Sequence, residues 1–124
     1  MIVVVDAAAV LEILKGTETG RKLLTALPGL DLYAPHLIDL EVVNALRRWG
    51  FQGEMSTAET RAALEVFEEM TITRCSHTNL LDAIWSLRHN LTAYDAAYLA
   101  LARLLDAELI TMDNGLRKRA TRKR

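Results

Sequence analysis

Apolar and polar positions along the chain fall into short blocks that predict strands and helices in alternation. Ile2-Val3-Val4-Val5 is a continuous β-branched run, the pattern of a strand covered on both faces. It ends at Asp6. Ala7 to Lys15 follows with helical spacing and stops near Gly16, and a second helix is predicted from Glu18 to Leu27, closed by Pro28-Gly29. Asp31 to Ala34 reads as a short strand ended by Pro35. Leu37 to Trp49 reads as a helix with Leu40, Val43 and Leu46 on one apolar face, and Gly50 and Gly53 bracket a loop.

Ser56-Thr57-Ala58-Glu59 has the form of a capping box, in which the serine and the glutamate each satisfy a backbone N–H at the helix start. The helix it opens runs to about Met70, and a short strand is expected at Thr71 to Arg74. Leu80 to Arg88 forms another helix. Thr92 then caps a long helix with Asp95 at its third position and Tyr94, Ala97, Tyr98, Leu101 and Leu105 at helical spacing. Leu109-Ile110-Thr111-Met112 is a strand ending at Asp113, and a short basic helix finishes the chain. With no repeat or linker, the alternation predicts an α/β fold on a mostly parallel sheet of four to five short strands flanked by helices.

Length and composition narrow this picture. The 124 residues suit one domain, and an apolar content of 51% suffices for a single core. No apolar run reaches the roughly 18 to 20 residues of a membrane span. The Ile2–Val5 run is too short for a signal-peptide core and lacks a basic flank. The expectation is therefore a cytoplasmic protein without membrane contact. Cys75 is the only cysteine, which excludes an internal disulfide and a thiolate metal site, and it reads as a small buried apolar residue.

The net charge of −1 hides an asymmetry: residues 1–116 hold nine basic against sixteen acidic side chains, or −7, and residues 117–124 hold +6. An acidic body argues against nucleic-acid binding over the whole surface. The basic tail over 117–124 offers phosphate contacts, or else is simply a solvated end.

The candidate chemistry lies in acids at element boundaries. Two predicted strands each end in an aspartate, Asp6 and Asp113, and ligands of open α/β sheets bind at the carboxyl ends of the strands. Asp95 lies in the first turn of its helix, where the helix dipole favours an anion. Capping alone would account for Asp95, but not for Asp6 and Asp113 as well. Converging carboxylates raise one another's pKa, and a hard divalent cation relieves that repulsion. Such an ion can polarise a phosphate oxygen and activate a water, which gives phosphodiester hydrolysis. Spacing alone leaves this open beside the plainer reading of boundary aspartates as caps.

The segment from Leu87 to Ala102, centred on Thr92-Ala93-Tyr94-Asp95, resembles PIN-domain nucleases, and in detail the VapC toxins of toxin–antitoxin pairs. Ile2 to Ala7 resembles that family's first strand and first aspartate, Leu40 to Arg48 its glutamate-bearing helix, and Leu109 to Leu116 its last strand and fourth acid. The resemblance spans nearly the whole chain, so residues 1–124 would form a single PIN domain with the basic tail at 117–124. It implies a PIN-like fold, cleavage of structured RNA such as tRNA or rRNA, and a Mg²⁺ or Mn²⁺ cofactor. It also implies a VapB-type antitoxin as partner and a homodimer within that complex. By position it makes Asp6, Glu41, Asp95 and Asp113 the catalytic and metal-binding residues, with Thr92 a supporting hydroxyl. Asn44, three residues after Glu41 on the same helix face, would orient Glu41 or a water. The chain departs from many relatives at Ala7-Ala8-Ala9, where a serine near the first aspartate is absent.

Other residues have plainer readings beside functional ones. Arg88, Arg117, Lys118 and Arg119 are RNA-contact candidates, with a surface ion pair the alternative for Arg88 and a solvated end the alternative for the other three. Arg47 and Arg48 suit the negative end of their helix. His36, His77 and His89 show no ligand spacing and read as loop residues. Trp49 and Trp85 read as packing residues, and Asp39 as a helix-start residue on a different face from Glu41. A non-catalytic PIN-fold binding module is the competing function. A phosphotransfer domain is excluded by Ala7 and Ala8, where paired acids or an Asp-x-Asp motif would be needed.

Overall fold

The β-branched run forms β1 (Ile2–Val5), and its Val3, Val4 and Val5 are at most 1% exposed. The computed structural model describes residues 1–122, with the side chains of 121 and 122 left aside. Helices α1 (Ala7–Lys15) and α2 (Glu18–Ala26) lead to β2 (Asp31–Pro35). Then come α3 (Ile38–Phe51), α4 (Thr57–Glu69) and β3 (Ile72–Cys75). A 3-10 turn (Thr78–Leu80) runs into α5 (Leu81–Ser86), followed by α6 (Ala93–Leu104), β4 (Glu108–Ile110) and α7 (Asn114–Arg122). Among the described residues no helix is long and apolar enough to cross a membrane.

The four strands pair in the order β3-β2-β1-β4, all parallel. The chain therefore builds outward from β1 to β3, then crosses the sheet through α5 and α6 to place β4 on the other side of β1. The boundary between β1 and β4 is where the winding reverses, and such a switch point opens a crevice at the carboxyl ends of the strands. Helix α6 packs on β1, β2 and β4 with Ala96 to Ala102 buried, and its run of alanines lets it lie close to the sheet. The capping box at Ser56 is complete, with Ser56 N–H donating to Glu59 and Glu59 N–H donating to Ser56 Oγ. Gly16 ends α1 in the left-handed region, as its position predicts.

Several expectations change. Gly50 lies inside α3 rather than in a loop. The helix expected at Leu80 to Arg88 is only α5, because i→i+3 bonds from Leu87 and Arg88 tighten and end it. β4 stops at Ile110 because β1 offers no partner beyond Val5, where Asp6 turns into α1. The buried face of α3 is Ile38, Val42, Ala45 and Leu46, so Leu40 and Val43 point to solvent. The sequence carries two apolar stripes on this helix, and only one meets the core. Tyr94 and Trp85 are likewise exposed, Trp85 at 66%, whereas Trp49 packs against the core. Cys75 is half-buried at the core margin. Of the basic tail, α7 takes in residues through Arg122 and buries Leu116 and Ala120, while Lys123 and Arg124 lie outside the described residues.

Candidate active site

Asp6 is 7% exposed and N-caps α1. Its Oδ1 accepts the Ala9 N–H at 2.8 Å, and its Oδ2 accepts the Thr111 hydroxyl. Its own N–H donates to the Ile110 carbonyl at 3.0 Å, tying it to the end of β4. Thr111 Oγ1 in turn accepts the Asp113 N–H at 3.0 Å. Asp113 turns into α7, its Oδ1 accepting the Leu116 N–H at 3.0 Å. One buried threonine thus links Asp6, at the end of β1, with Asp113, at the start of α7, across the switch point. It also gives Asp6 a hydroxyl partner that Ala7-Ala8-Ala9 does not provide.

Two helix starts bring in the other acids. Thr92 Oγ1 accepts the Asp95 N–H at 3.2 Å, which fixes Asp95 in the first turn of α6. Glu41 lies in the first turn of α3, whose start follows the carboxyl end of β2. Its Oε1 accepts the hydroxyl of Tyr98, buried on α6, at 2.6 Å. Asn44 is exposed beside Glu41, in a surface groove with Leu40, Val43 and Tyr94. A bond that orients Glu41 comes from Tyr98, and Asn44 shares the helix face of Glu41 at the groove, where the expected role toward a water stays open.

Electrostatics mark these carboxylates as one cluster. Burial raises the pKa of Asp6, against the opposing bonds from Thr111 and Ala9, and the charges of Asp95 and Asp113 push it further up. Burial also raises Glu41, against the Tyr98 bond, with Asp95 and Asp6 adding to the rise. Asp95 is raised by burial and then by Asp113. Burial, followed by the bond to Glu41, keeps the Tyr98 phenol protonated. Among the described residues the ion pairs lie elsewhere: Met1–Asp31, Lys15–Glu54, Lys22–Glu18, Arg61–Glu65 and Arg74–Asp39. Asp39 is therefore committed to Arg74, away from Glu41.

The donor chemistry fits a hard divalent cation, being anionic and all oxygen. Among the described residues, no three His, Cys, Asp or Glu side chains form a closed cage for one ion. Mg²⁺ does not require one, because it keeps several waters and takes one or two carboxylates directly.

The basic candidates separate. Arg117 donates to the Thr111 carbonyl at 2.5 Å and so stands at the edge of the cluster. Lys118 is exposed on α7, and the carbonyl of half-buried Arg119 accepts from Arg103 at 3.3 Å. Arg88 stacks on Trp85, 4.3 Å from the ring centroid, and bonds the Trp85 carbonyl rather than the acids. His36, His77 and His89 are all exposed. Sequence reasoning missed Tyr98 and Thr111 as site residues, taking one for core and the other for strand. Two spacings carry the missing signal: Tyr98 is one helical turn after Asp95, and Thr111 is two residues before Asp113.

The PIN domain family model matches residues 3–121. Ribonuclease VapC1 of Mycobacterium tuberculosis is 44% identical over 115 residues, covering 91% of this chain and 86% of the relative. Ribonuclease VapC9 of the same organism is 39% identical over 111 residues, covering 90% and 85%. Among solved structures, PAE2754 from Pyrobaculum aerophilum superposes with a TM-score of 0.67 at 25% identity, over 94% of this chain and 85% of that one.

Proposed function

Because the chain belongs to the PIN domain family, we propose that it is a VapC-type ribonuclease, the toxin of a toxin–antitoxin pair, hydrolysing RNA phosphodiester bonds at the acidic crevice. The observation that carries the reading is a cluster of carboxylates that raise one another's pKa at the switch point of a parallel sheet.

Asp6, Glu41, Asp95 and Asp113 hold Mg²⁺ or Mn²⁺ in this reading, directly or through water. The bound ion supplies charge for a phosphate oxygen and lowers the pKa of a water. The chain supplies the placement. Ala9 and Thr111 fix both oxygens of Asp6, Thr92 sets the first turn that carries Asp95, and Asp113 is held by Thr111 and Leu116. Arg117, Lys118 and Arg119 begin one turn beyond Asp113 and are assigned to the RNA backbone, which is polyanionic. Arg88 is left with a lesser part, since its guanidinium is engaged with Trp85. The reading includes structured RNA as substrate, a cytoplasmic location, a VapB-type antitoxin and a homodimer. The exposed Leu40, Val43 and Tyr94 beside Glu41 support protein contacts there.

Purified protein with Mn²⁺ should cleave structured RNA, and Asp6→Asn and Asp95→Asn should each reduce cleavage to the level of a chelated control. Persistent cleavage in both variants would remove the assignment. A second reading, a non-catalytic PIN-fold binding module, draws on the lack of a closed three-ligand cage among the described residues. Calorimetric titration in which millimolar Mn²⁺ does not bind would favour it.

A further inference from the structure

Tyr98 occupies a place that a phenylalanine would fill equally well for packing. It is 3% exposed within a helix segment otherwise made of Ala96, Ala97, Leu99, Ala100, Leu101 and Ala102. A buried phenolic hydroxyl costs free energy unless it is hydrogen-bonded. Here the hydroxyl donates across the molecule, from α6 to Glu41 Oε1 on α3, at 2.6 Å and 57 residues away in sequence, and it also meets the Ala7 backbone at the start of α1. Glu41 itself is only half-buried and borders the open groove of Leu40, Val43, Asn44 and Tyr94. Its long side chain has several rotamers, and ordering such a chain costs entropy. Tyr98 opposes that freedom from a rigid position, one helical turn after Asp95 on the same helix.

We infer that Tyr98 is a positioning residue: its hydroxyl holds the Glu41 carboxylate toward Asp6 and Asp95 and away from the open groove. One helix, α6, thereby presents one acid and clamps another. The inference rests on the metal-site reading above, and it concerns preorganisation rather than packing. Hydrogen-bond partners of metal-binding side chains typically change ion affinity by roughly 10- to 100-fold when removed.

The test is calorimetric titration of Mn²⁺ into the wild type, Tyr98→Phe, Glu41→Gln and the double variant, with thermal melts of each metal-free protein. Tyr98→Phe should weaken Mn²⁺ binding about tenfold or more while remaining folded. In the Glu41→Gln background the same change should add little, because the clamped carboxylate is already gone. Unchanged affinity in Tyr98→Phe, or an equal loss in both backgrounds, would overturn the inference while leaving the metal site standing. A wild type that binds no Mn²⁺ would overturn the metal-site reading and this inference together. If Tyr98→Phe melts early, Tyr98→His, which keeps a donor, decides: unrecovered affinity in a stably folded histidine variant would sink the proposal.

Discussion

A buried polar group left without its partner costs about 1 to 3 kcal/mol, and the Thr111 hydroxyl, 1% exposed, has two partners. It donates to Asp6 and accepts from the Asp113 backbone, so Thr111→Val removes one bond and strands an N–H. The Asp6 carboxylate would also lose a contact that opposes the rise in its pKa. Thr111→Val should therefore lower stability by about 1 to 3 kcal/mol and shift the acid limb of the cleavage profile to higher pH. Thr111→Ser should restore most of both. A pH–rate profile and a denaturant melt check this, and an unmoved acid limb in Thr111→Val would rule it out. At this scale the sequence names the residues but not their contacts, since Asp6 and Thr111 stand 105 positions apart.

Elements came through in order and type, and their limits shifted wherever a neighbour had the last word. β4 ends with the last β1 partner, and α5 is cut short by its own tightened turn. The close approach of α1 and α2 is a purely tertiary feature. Gly20 is buried on α2, and a Cβ there would collide with the backbone of Glu12 and approach Ile13 N to 2.8 Å. Helical propensity favours alanine over glycine by roughly 1 kcal/mol, so sequence reasoning alone expects Gly20→Ala to stabilise. The contact with α1 predicts the reverse, a loss on the order of 1 to 3 kcal/mol from overpacking. Chemical denaturation of Gly20→Ala decides between them, and a gain in stability would show that the helices can part at little cost.

Across the whole molecule, the acid cluster sets protein stability against metal binding. Asp6, Glu41 and Asp95 bind protons more tightly when folded, their values being raised first by burial. Their contribution to stability is fully present below the ordinary values of 3.8 for aspartate and 4.5 for glutamate, and it is lost as pH rises through the raised values. At pH 7.5 without metal, Glu41→Gln should therefore melt above the wild type. Mn²⁺ should reverse that order, stabilising the wild type by about 1.4 kcal/mol at a tenfold excess over its dissociation constant, and by less at pH 5, where protons compete. A Glu41→Gln protein that melts below the wild type at pH 7.5 would refute the repulsion. The sequence by itself determined the alternation of strands and helices, the capping of α4 and α6, and the placement of Asp6, Asp95 and Asp113 at element boundaries. These follow from local periodicity and backbone hydrogen-bond demand, which neighbouring residues decide. Tertiary structure alone decided that β4 lies beside β1, which stripe of α3 is buried, and that Tyr98 and Thr111 reach Glu41 and Asp6. Those outcomes depend on strand order and on which faces meet, and residues far apart in the chain fix them only once it has folded.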